Sequence, residues 1–383
     1  MLFIFIGIFI AIYGGLHAYV YKKIIRVVPW GRRVLIAVLG FLVLAPLSVA
    51  ILAHAGLTAL ATPLAWIGYS WMGAVFLFFS ISVVLDCYRF FMKAGGRLLG
   101  VKIFARMLPS PYYSVFVTAA LTLAATGYGF FAARRINVEW IHIPTSKLES
   151  TSDSFRIVQI SDLHLGLLSD ETRLRRLIEV IRSVQPDVVV STGDLVDMQP
   201  DHLGKFADLL HELKPRFGKF AVTGNHEAYV GLDHALAFTR RAGFVMLSHD
   251  GINVNNVIHI VGVDDPAVSN RLKIGLPDEK DLLQRCPKEA FTVLLKHQPV
   301  VDPASLPWFD LQLSGHTHGG QIFPFTLFTK LVYPAQMGLS RVGEESWLYV
   351  SRGTGSWGPP IRFLAPPELT VIELRSVHAA PGS

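Results

Sequence analysis

The chain has 383 residues, enough for two or more domains, and it is 51% hydrophobic but only 17% charged, which excludes a wholly soluble protein of ordinary composition. Residues 1–150 hold 13 Lys and Arg against 3 Asp and Glu, whereas residues 151–383 hold 22 against 26. The acidic balance of the C-terminal part argues against nucleic acid as its partner. The two cysteines, Cys87 and Cys286, lie in different parts, so neither a disulfide framework nor a thiolate metal cluster is expected.

The N-terminal part contains long apolar runs without a formal charge. Each run is long enough to cross the roughly 30 Å hydrocarbon layer of a bilayer. A shorter apolar segment at 57–63 contains a proline and is assigned to a loop. Residues 1–135 are therefore predicted to form an all-α transmembrane bundle of about four spans that anchors the rest of the chain. The four runs are 2–20, 34–52, 65–85 and 113–133.

The loops of this part have an asymmetric charge. Two loops, after the first and third runs, are rich in Lys and Arg, whereas the loop after the second run has neither residue. The positive-inside rule places both basic loops in the cytoplasm, although Arg134 and Arg135 after the fourth run favour the opposite orientation. The sequence thus predicts a protein of the cytoplasmic membrane whose C-terminal part is extracytoplasmic. The basic residues are Lys22, Lys23, Arg26, Arg32, Arg33, Arg89, Lys93, Arg97, Lys102 and Arg106.

The C-terminal part begins with alternating strands and helices and ends rich in strands. A first strand around Trp140 is predicted to end at Pro144, and an amphipathic helix follows from the spacing of Leu174, Leu177 and Ile181. This order predicts an α/β domain, 136–376, with two packed β-sheets flanked by helices, and a disordered tail at 377–383. Further helix and strands are predicted at 204–213 and at 155–160, 188–190, 220–223, 252–263, 291–295, 311–313, 347–351 and 369–374.

Five polar groups follow the ends of predicted apolar strands. Neighbouring strands of one sheet end at a common edge, so these side chains are expected to meet there. Taken singly, an Asp or Gly-Asn at a strand end usually makes a turn, but five groups in this order favour a site. Carboxylate, imidazole and amide ligands suit Mn, Fe, Zn or Co. The groups are Asp162-Leu163-His164, Gly193-Asp194 with Asp197, Gly224-Asn225-His226-Glu227, Lys296-His297-Gln298 and Gly315-His316-Thr317-His318.

In this order and spacing, the five groups resemble the signature of the calcineurin-like metallophosphoesterases. The resemblance covers about 136–374. Within that family, Gly319-Gly320-Gln321, together with Ser351-Arg352-Gly353 and the segment 360–363, is similar to a membrane-associated or exported bacterial branch. That branch includes enzymes similar to the UDP-2,3-diacylglucosamine pyrophosphatases. The resemblance implies a metallophosphoesterase domain with a dinuclear metal site.

The resemblance also implies a role for each site residue. His226 would face the substrate and protonate the leaving oxygen after attack by a hydroxide that bridges the two metals. Asp197 and Glu227 would orient ligands. Purple acid phosphatases have a ligating tyrosine where Asp197 stands, so the coloured ferric variant is not expected. The first metal ion would be bound by Asp162, His164, Asp194 and His318, and the second by the bridging Asp194 with Asn225, His297 and His316.

The leading functional hypothesis is a membrane-anchored, two-metal phosphoesterase acting on a phosphodiester or phosphomonoester. A lipid-linked or envelope substrate is favoured because almost no linker separates the fourth apolar run from the first strand. The alternatives are a lipid A enzyme of the UDP-2,3-diacylglucosamine pyrophosphatase type and a non-catalytic phospholipid-binding domain. A transporter is disfavoured because the spans contain few polar residues. Substrate, metal and oligomeric state stay open at this point.

Overall fold

The structure is a computed structural model that describes residues 2–100, 104, 107–148, 154–197, 203–273, 275 and 277–377, without the side chains of 2, 3 and 5. The chain divides into two compact units. The first comprises Met1–Ala132 with Gly358–Phe363, and the second comprises Ala133–Trp357 with Leu364–Ser383. All but the first residue of the predicted tail lies outside the described residues.

The first unit is helical, as predicted. Among the described residues, the segments Pro29–His54, Thr58–Leu99 and Pro111–Ala132 are long and apolar enough to cross a membrane. Another apolar helix of 23 residues precedes them. The helices are α1 (Leu2–Ile24), α2 (Arg32–His54), α3 (Thr58–Leu99) and α4 (Pro111–Ala132).

Helix α3 corrects two details of the sequence analysis. The segment 58–63, assigned to a loop, forms its first turns, and at 42 residues α3 extends over about 63 Å. Pro63 removes one backbone donor near the start of the helix, while the Thr62 hydroxyl donates to the Thr58 carbonyl at 2.9 Å. The helix also continues through Arg89 and Arg97, which were expected in a loop. Lys102 and Arg106 lie outside the described residues.

Two polar side chains of α1, His17 and Lys23, are paired with side chains of α3. The buried His17 accepts a hydrogen bond at Nε2 from the Trp71 indole at 2.8 Å, and its Nδ1 donates to the Tyr13 carbonyl at 2.7 Å. Lys23 forms an ion pair of 2.5 Å with Asp86. Such pairing removes the cost of burying unsatisfied polar groups and fixes the register of the two helices.

The second unit contains two six-stranded sheets, and its first strand continues through Pro144 rather than ending there. That strand, β1, lies at the edge of its sheet, where a residue without an N–H is tolerated. The elements are β1 (Asn137–Thr145), β2 (Ser154–Ile160), α5 (Glu171–Ser183), β3 (Val188–Ser191), α6 (Gly204–His211), β4 (Lys219–Ala221), α7 (Asn225–Val230), α8 (Leu232–Arg241), β5 (Val245–Met246), β6 (Asp250–Val254), β7 (Ile258–Val263), α9 (Pro266–Leu272), α10 (Glu279–Leu283), β8 (Phe291–Lys296), β9 (Leu311–Ser314), α11 (Phe325–Val332), β10 (Gly338–Arg341), β11 (Trp347–Val350) and β12 (Glu368–Ser376).

The two sheets pack face to face and confirm the predicted fold class. Their strand orders are β1-β12-β2-β3-β4-β5 and β10-β11-β9-β8-β7-β6. Ile157 and Phe220 of the first sheet share a buried cluster with Ile260 and Val293 of the second. Helices α5, α6 and α8 cover the other face of the first sheet. In each sheet, adjacent parallel strands (β2, β3 and β4; β8 and β9) end on the same edge, where the predicted site residues follow.

Candidate metal centre

The predicted site residues meet at the carboxyl ends of strands from both sheets. Those that follow β2, β3 and β4 come from the first sheet, and those that follow β8 and β9 come from the second. The expectation that one sheet would supply the whole site was therefore wrong. Because both sets of strands are parallel and the sheets are stacked, two edges converge rather than one. The first sheet contributes Asp162, His164, Asp194 and Asn225, and the second contributes His297, His316 and His318.

The first group of possible ligands consists of Asp162, His164 and His318, which are all buried. One ligand atom of each lies within 4.8 Å of the others. The Nε2 atoms of the two imidazoles are 3.0 Å apart, and His318 Nε2 lies 3.5 Å from Asp162 Oδ1. Asp194 Oδ2 is 3.8 Å from His164 Nε2. Two ring nitrogens and two carboxylates thus face a common point.

The second group consists of Asp194, His297 and His316, with Asn225 beside them. His297 Nδ1 donates to the Thr192 carbonyl at 2.7 Å, so in the neutral ring Nε2 carries a lone pair. That Nε2 lies 3.2 Å from each of Asp194 Oδ2, Asn225 Oδ1 and His316 Nδ1. The two histidines of His316-Thr317-His318 therefore belong to different groups, and Asp194 lies beside both.

The electrostatics of the site favour a positive charge among these side chains. Burial by itself would raise the pKa of Asp194 and lower that of His297. Their attraction outweighs burial, so the pKa of Asp194 is lowered and that of His297 is raised to about 10. The buried Nδ1 of His164 has no hydrogen-bond partner. Buried carboxylate oxygens and inward-facing imidazoles, with no sulfur, are a donor set that fits divalent cations of the Mn, Fe or Zn type.

Five of the seven predicted ligands have a left-handed backbone. The φ angles of Asp162, His164, Asp194, His316 and His318 are 52°, 48°, 53°, 71° and 52°. Each such residue costs on the order of 1–3 kcal/mol and persists only where its surroundings hold it. Here the His316 N–H donates to both carboxylate oxygens of Asp162 at 3.1 and 3.0 Å, and the Asp162 N–H donates to the Gly193 carbonyl at 3.0 Å. Hydrogen bonds between the loops thus hold these side chains in position.

Two glycines of the signature allow these loops to approach one another. A Cβ atom on Gly193 would lie 2.5 Å from the backbone nitrogen of Gly224, closer than real Cβ atoms come. A Cβ atom on Gly315 would collide with the Ser161 hydroxyl and the Asp162 carboxylate. Glycine is therefore required at these positions by the packing of the ligand loops.

His226 lies at the edge of the two groups. Its Nδ1 is 2.7 Å from Asp197 Oδ1, and its backbone N–H donates to Asp194 Oδ1 at 2.8 Å. Burial lowers the pKa of His226, but Asp197 and Asp194 outweigh that effect and raise it to about 9. Its ring also lies close enough to His164 and Asp194 to form a third possible metal group. The geometry therefore permits either proton donation or ligation by His226.

Glu227 joins two of the ligand loops. Its buried carboxylate accepts hydrogen bonds from the backbone N–H groups of Asp194, Leu195 and Gly224 at 3.0, 2.7 and 2.7 Å. Burial and the nearby Asp194 raise its pKa. The Glu227 side chain thus holds the backbone of Asp194 in place and affects the site by positioning this candidate ligand.

Several residues beside the site were missed by the sequence reasoning. Asp265 follows β7 at the same edge and accepts from the Gln298 side chain at 2.8 Å. Its place after an apolar strand was a usable signal. The Tyr333 ring lies 5.4 Å from that of His316, and the exposed rings of Tyr229 and Trp357 lie 5.6 and 5.7 Å from that of His226. Tyr333 and Trp357 stand far from the signature in sequence, and no pattern indicated them, whereas Tyr229 follows His226 by three residues and that proximity was a usable signal.

Comparisons with known proteins found a matching family model and several relatives. The family model described as calcineurin-like phosphoesterase matches residues 155–320. An "Uncharacterized metallophosphoesterase" of Aquifex aeolicus is 38% identical over 63% of this chain and 92% of its own length. "Uncharacterized metallophosphoesterase YkuE" of Bacillus subtilis is 35% identical over 72% of this chain and 99% of its own. A Danio rerio protein named "Transmembrane protein with metallophosphoesterase domain" is 34% identical over 68% of this chain, which spans only 62% of that relative.

Proposed function

Because this chain belongs to the calcineurin-like metallophosphoesterases, we propose that it is a membrane-anchored hydrolase that cleaves a phosphoester with two divalent metal ions. The observation that carries the proposal is the position of Asp194, whose carboxylate lies beside both groups of ligand atoms. A single shared carboxylate between two clusters is the arrangement that a dinuclear site needs.

The proposed ligands follow the two groups. When bound, such ions polarise phosphate oxygens and lower the pKa of water. The protein's own part is to hold the ligands in place. The left-handed backbone of five of them and the Glu227 carboxylate contribute to this. The first set is Asp162, His164, Asp194 and His318, and the second is Asp194, Asn225, His297 and His316.

His226 is the proposed proton donor to the leaving oxygen. Asp197 binds its Nδ1 and holds the ring in one orientation, which leaves Nε2 to carry the proton. The two negative carboxylates near the ring favour its protonated form. Proton donation by a positioned imidazole contributes about 10²–10⁴-fold to a rate. Protonated His226 would act on the leaving group of either a monoester or a diester.

The proposed substrate is a phosphoester carried by a lipid-linked or envelope molecule. Helix α4 ends at Ala132 and β1 begins at Asn137, so four residues join the apolar helices to the catalytic unit. A tether this short raises the effective concentration of anything anchored in the same membrane. A soluble metabolite gains nothing from such an anchor.

We also propose that the catalytic unit is extracytoplasmic, on the basis of the basic residues described above. A UDP-2,3-diacylglucosamine pyrophosphatase activity would need the opposite side, since that lipid is made in the cytoplasm. An alkaline phosphatase fusion after Arg135 should be active, and a green fluorescent protein fusion there should be dark. The reverse pattern would contradict this orientation.

The enzymatic proposal is tested with the purified full chain, bis(p-nitrophenyl) phosphate and p-nitrophenyl phosphate. Turnover should require a divalent ion such as Mn²⁺, stop with EDTA and return when the ion is restored. A chain that binds phospholipid vesicles but hydrolyses neither compound with Mn²⁺, Fe²⁺ or Zn²⁺ would support the non-catalytic alternative instead.

A further inference from the structure

Helix α11 presents an apolar surface to the outside of the second unit. Its sequence, Phe-Thr-Leu-Phe-Thr-Lys-Leu-Val, places the five apolar residues on one broad arc at helical spacing. The exposed fractions are 58% for Leu327, 58% for Phe328, 82% for Leu331 and 70% for Val332. Amphipathic helices of soluble domains bury the apolar arc, and this helix does not.

The polar face of α11 is the one that packs on the protein. The Thr326 hydroxyl donates to the Gly319 carbonyl at 3.1 Å. Gly320 approaches the Thr326 backbone so closely that a Cβ atom there would collide with it. Thr326 and Thr329 are half-buried, whereas the apolar residues between and beyond them are exposed. The orientation of α11 is thus reversed relative to an ordinary surface helix, and polar contacts hold it there.

The position of α11 links this surface to the candidate metal centre. The helix starts seven residues after His318, and the residue that follows it, Tyr333, has its ring 5.4 Å from that of His316. The Tyr333 hydroxyl donates to the Gln298 side chain at 3.3 Å, next to His297. Both ends of α11 are therefore tied to the ligand loops.

We infer that the apolar face of α11 inserts into the surface of a lipid bilayer and brings the metal centre to the membrane–water interface. The chain itself supplies the argument for this occupant, since it carries helices that can cross a membrane and joins them to the second unit by four residues. Phe, Leu and Val on one side, with Lys330 on the flank, are the composition of a helix that lies in the interfacial plane.

The consequence for the substrate rests on the proposed function. A phosphoester whose lipid part stays in the bilayer would reach the metal centre at the level of the headgroups, without leaving the membrane. The phosphoester of a soluble compound would enter the same site without contacting α11. The apolar face therefore selects for the lipid part of a substrate and leaves the chemistry of the phosphoester unchanged.

Depth-dependent quenching tests the docking itself. The full chain, with Cys87 and Cys286 replaced by Ser, is labelled with NBD at Leu331→Cys and reconstituted in vesicles of phosphatidylethanolamine and phosphatidylglycerol. The emission of this label should shift to the blue in the vesicles, because the bilayer surrounds it with apolar groups, and doxyl-labelled lipids should quench it. A label at Gln284→Cys, an exposed position beside α10, should be quenched far less.

Equal quenching at the two positions would overturn the inference. So would a blue shift at Leu331→Cys that increases with protein concentration and comes without quenching by doxyl lipids, because that result would indicate a second copy of the chain on α11.

A matched pair of substrates tests the functional consequence. The probes are bis(p-nitrophenyl) phosphate in solution and the p-nitrophenyl ester of phosphatidic acid in vesicles, which share a leaving group. Leu331→Glu, alone and with Phe328→Glu, should lower turnover of the lipid ester about tenfold and leave the soluble ester unchanged. Gln284→Glu, which introduces a carboxylate at an exposed position outside α11, is the control and should change neither. Unchanged turnover of the lipid ester by the Glu variants would refute the inference while the proposed function stands. A wild-type chain inactive on both esters would refute the proposed function, and the quenching experiment would still decide the docking.

Discussion

Asp197 Oδ1 lies 2.7 Å from His226 Nδ1, and this contact joins the candidate proton donor to the loop that carries the shared aspartate. The same carboxylate oxygen is 3.7 Å from His164 Nδ1. Burial raises the pKa of Asp197, but its contacts with the two imidazoles outweigh burial and lower it. Asp197 therefore stays ionised and can position both rings without being a ligand itself.

Replacing Asp197 by Asn should lower kcat about 10–100-fold, the usual cost of losing a residue that orients a site. The amide keeps the shape of the side chain but removes the charge that holds the His226 ring. The metal content should stay close to that of the wild type, and KM should change less than kcat. Asp208→Asn, which removes an exposed ion pair with Arg241, is the control. An unaltered kcat in the Asp197 variant would contradict this role.

Replacing His226 by Ala separates its two possible roles. If His226 donates a proton, the variant keeps both metal ions and loses about 10²–10⁴-fold in rate. Asn225→Ala, one residue earlier, removes a proposed ligand and should lose metal as well as activity. Elemental analysis of both variants gives the answer. A His226 variant depleted of metal would show that the third group, with His164 and Asp194, is a real ligand set.

Replacing Gly315 by Ala should damage the metal centre although Gly315 carries no ligand. The added methyl group would meet the Ser161 hydroxyl and the Asp162 carboxylate, so the ligand loops must move apart. We expect a loss of stability of about 1–3 kcal/mol from the overpacking, with weaker metal binding. Gly275→Ala, where a Cβ atom meets nothing within 4 Å, is the matched control. Equal thermal stability and metal content in the two variants would contradict the account.

The candidate site residues could be selected from the sequence because their chemistry is visible there, and the structure brings their side chains together. Asp162, Asp194 and His316 each follow a short apolar strand, and the glycines that precede Asp194 and His316 indicate a close approach of backbones. Their backbone conformation could not be predicted, because a left-handed φ at Asp or His is set by hydrogen bonds from other loops. The contribution of two sheets was missed for a similar reason, since the stacking of β-sheets is a long-range property.

Other features depend on tertiary context. Helix α11 has an ordinary amphipathic pattern, and only the contacts of Thr326 show which face is turned inward. Asp265 was missed because its contact with Gln298 joins two loops that are distant in sequence. In the first unit, a proline at position 63 favours a loop, but α3 continues through it without the backbone hydrogen bond that Pro63 cannot donate.

The metal content of Asp194→Asn is the most direct test of the central claim, which is that one carboxylate serves two metal ions. In the wild type, two cations would share the full negative charge of the Asp194 carboxylate, whereas the amide of the variant offers only a dipole. The affinity of the variant for both metal ions should therefore fall. Elemental analysis of the purified wild-type chain should find two divalent ions per molecule, and the variant should lose metal together with turnover of bis(p-nitrophenyl) phosphate. A wild-type chain that binds a single ion, or a variant that retains both ions, would contradict the dinuclear site.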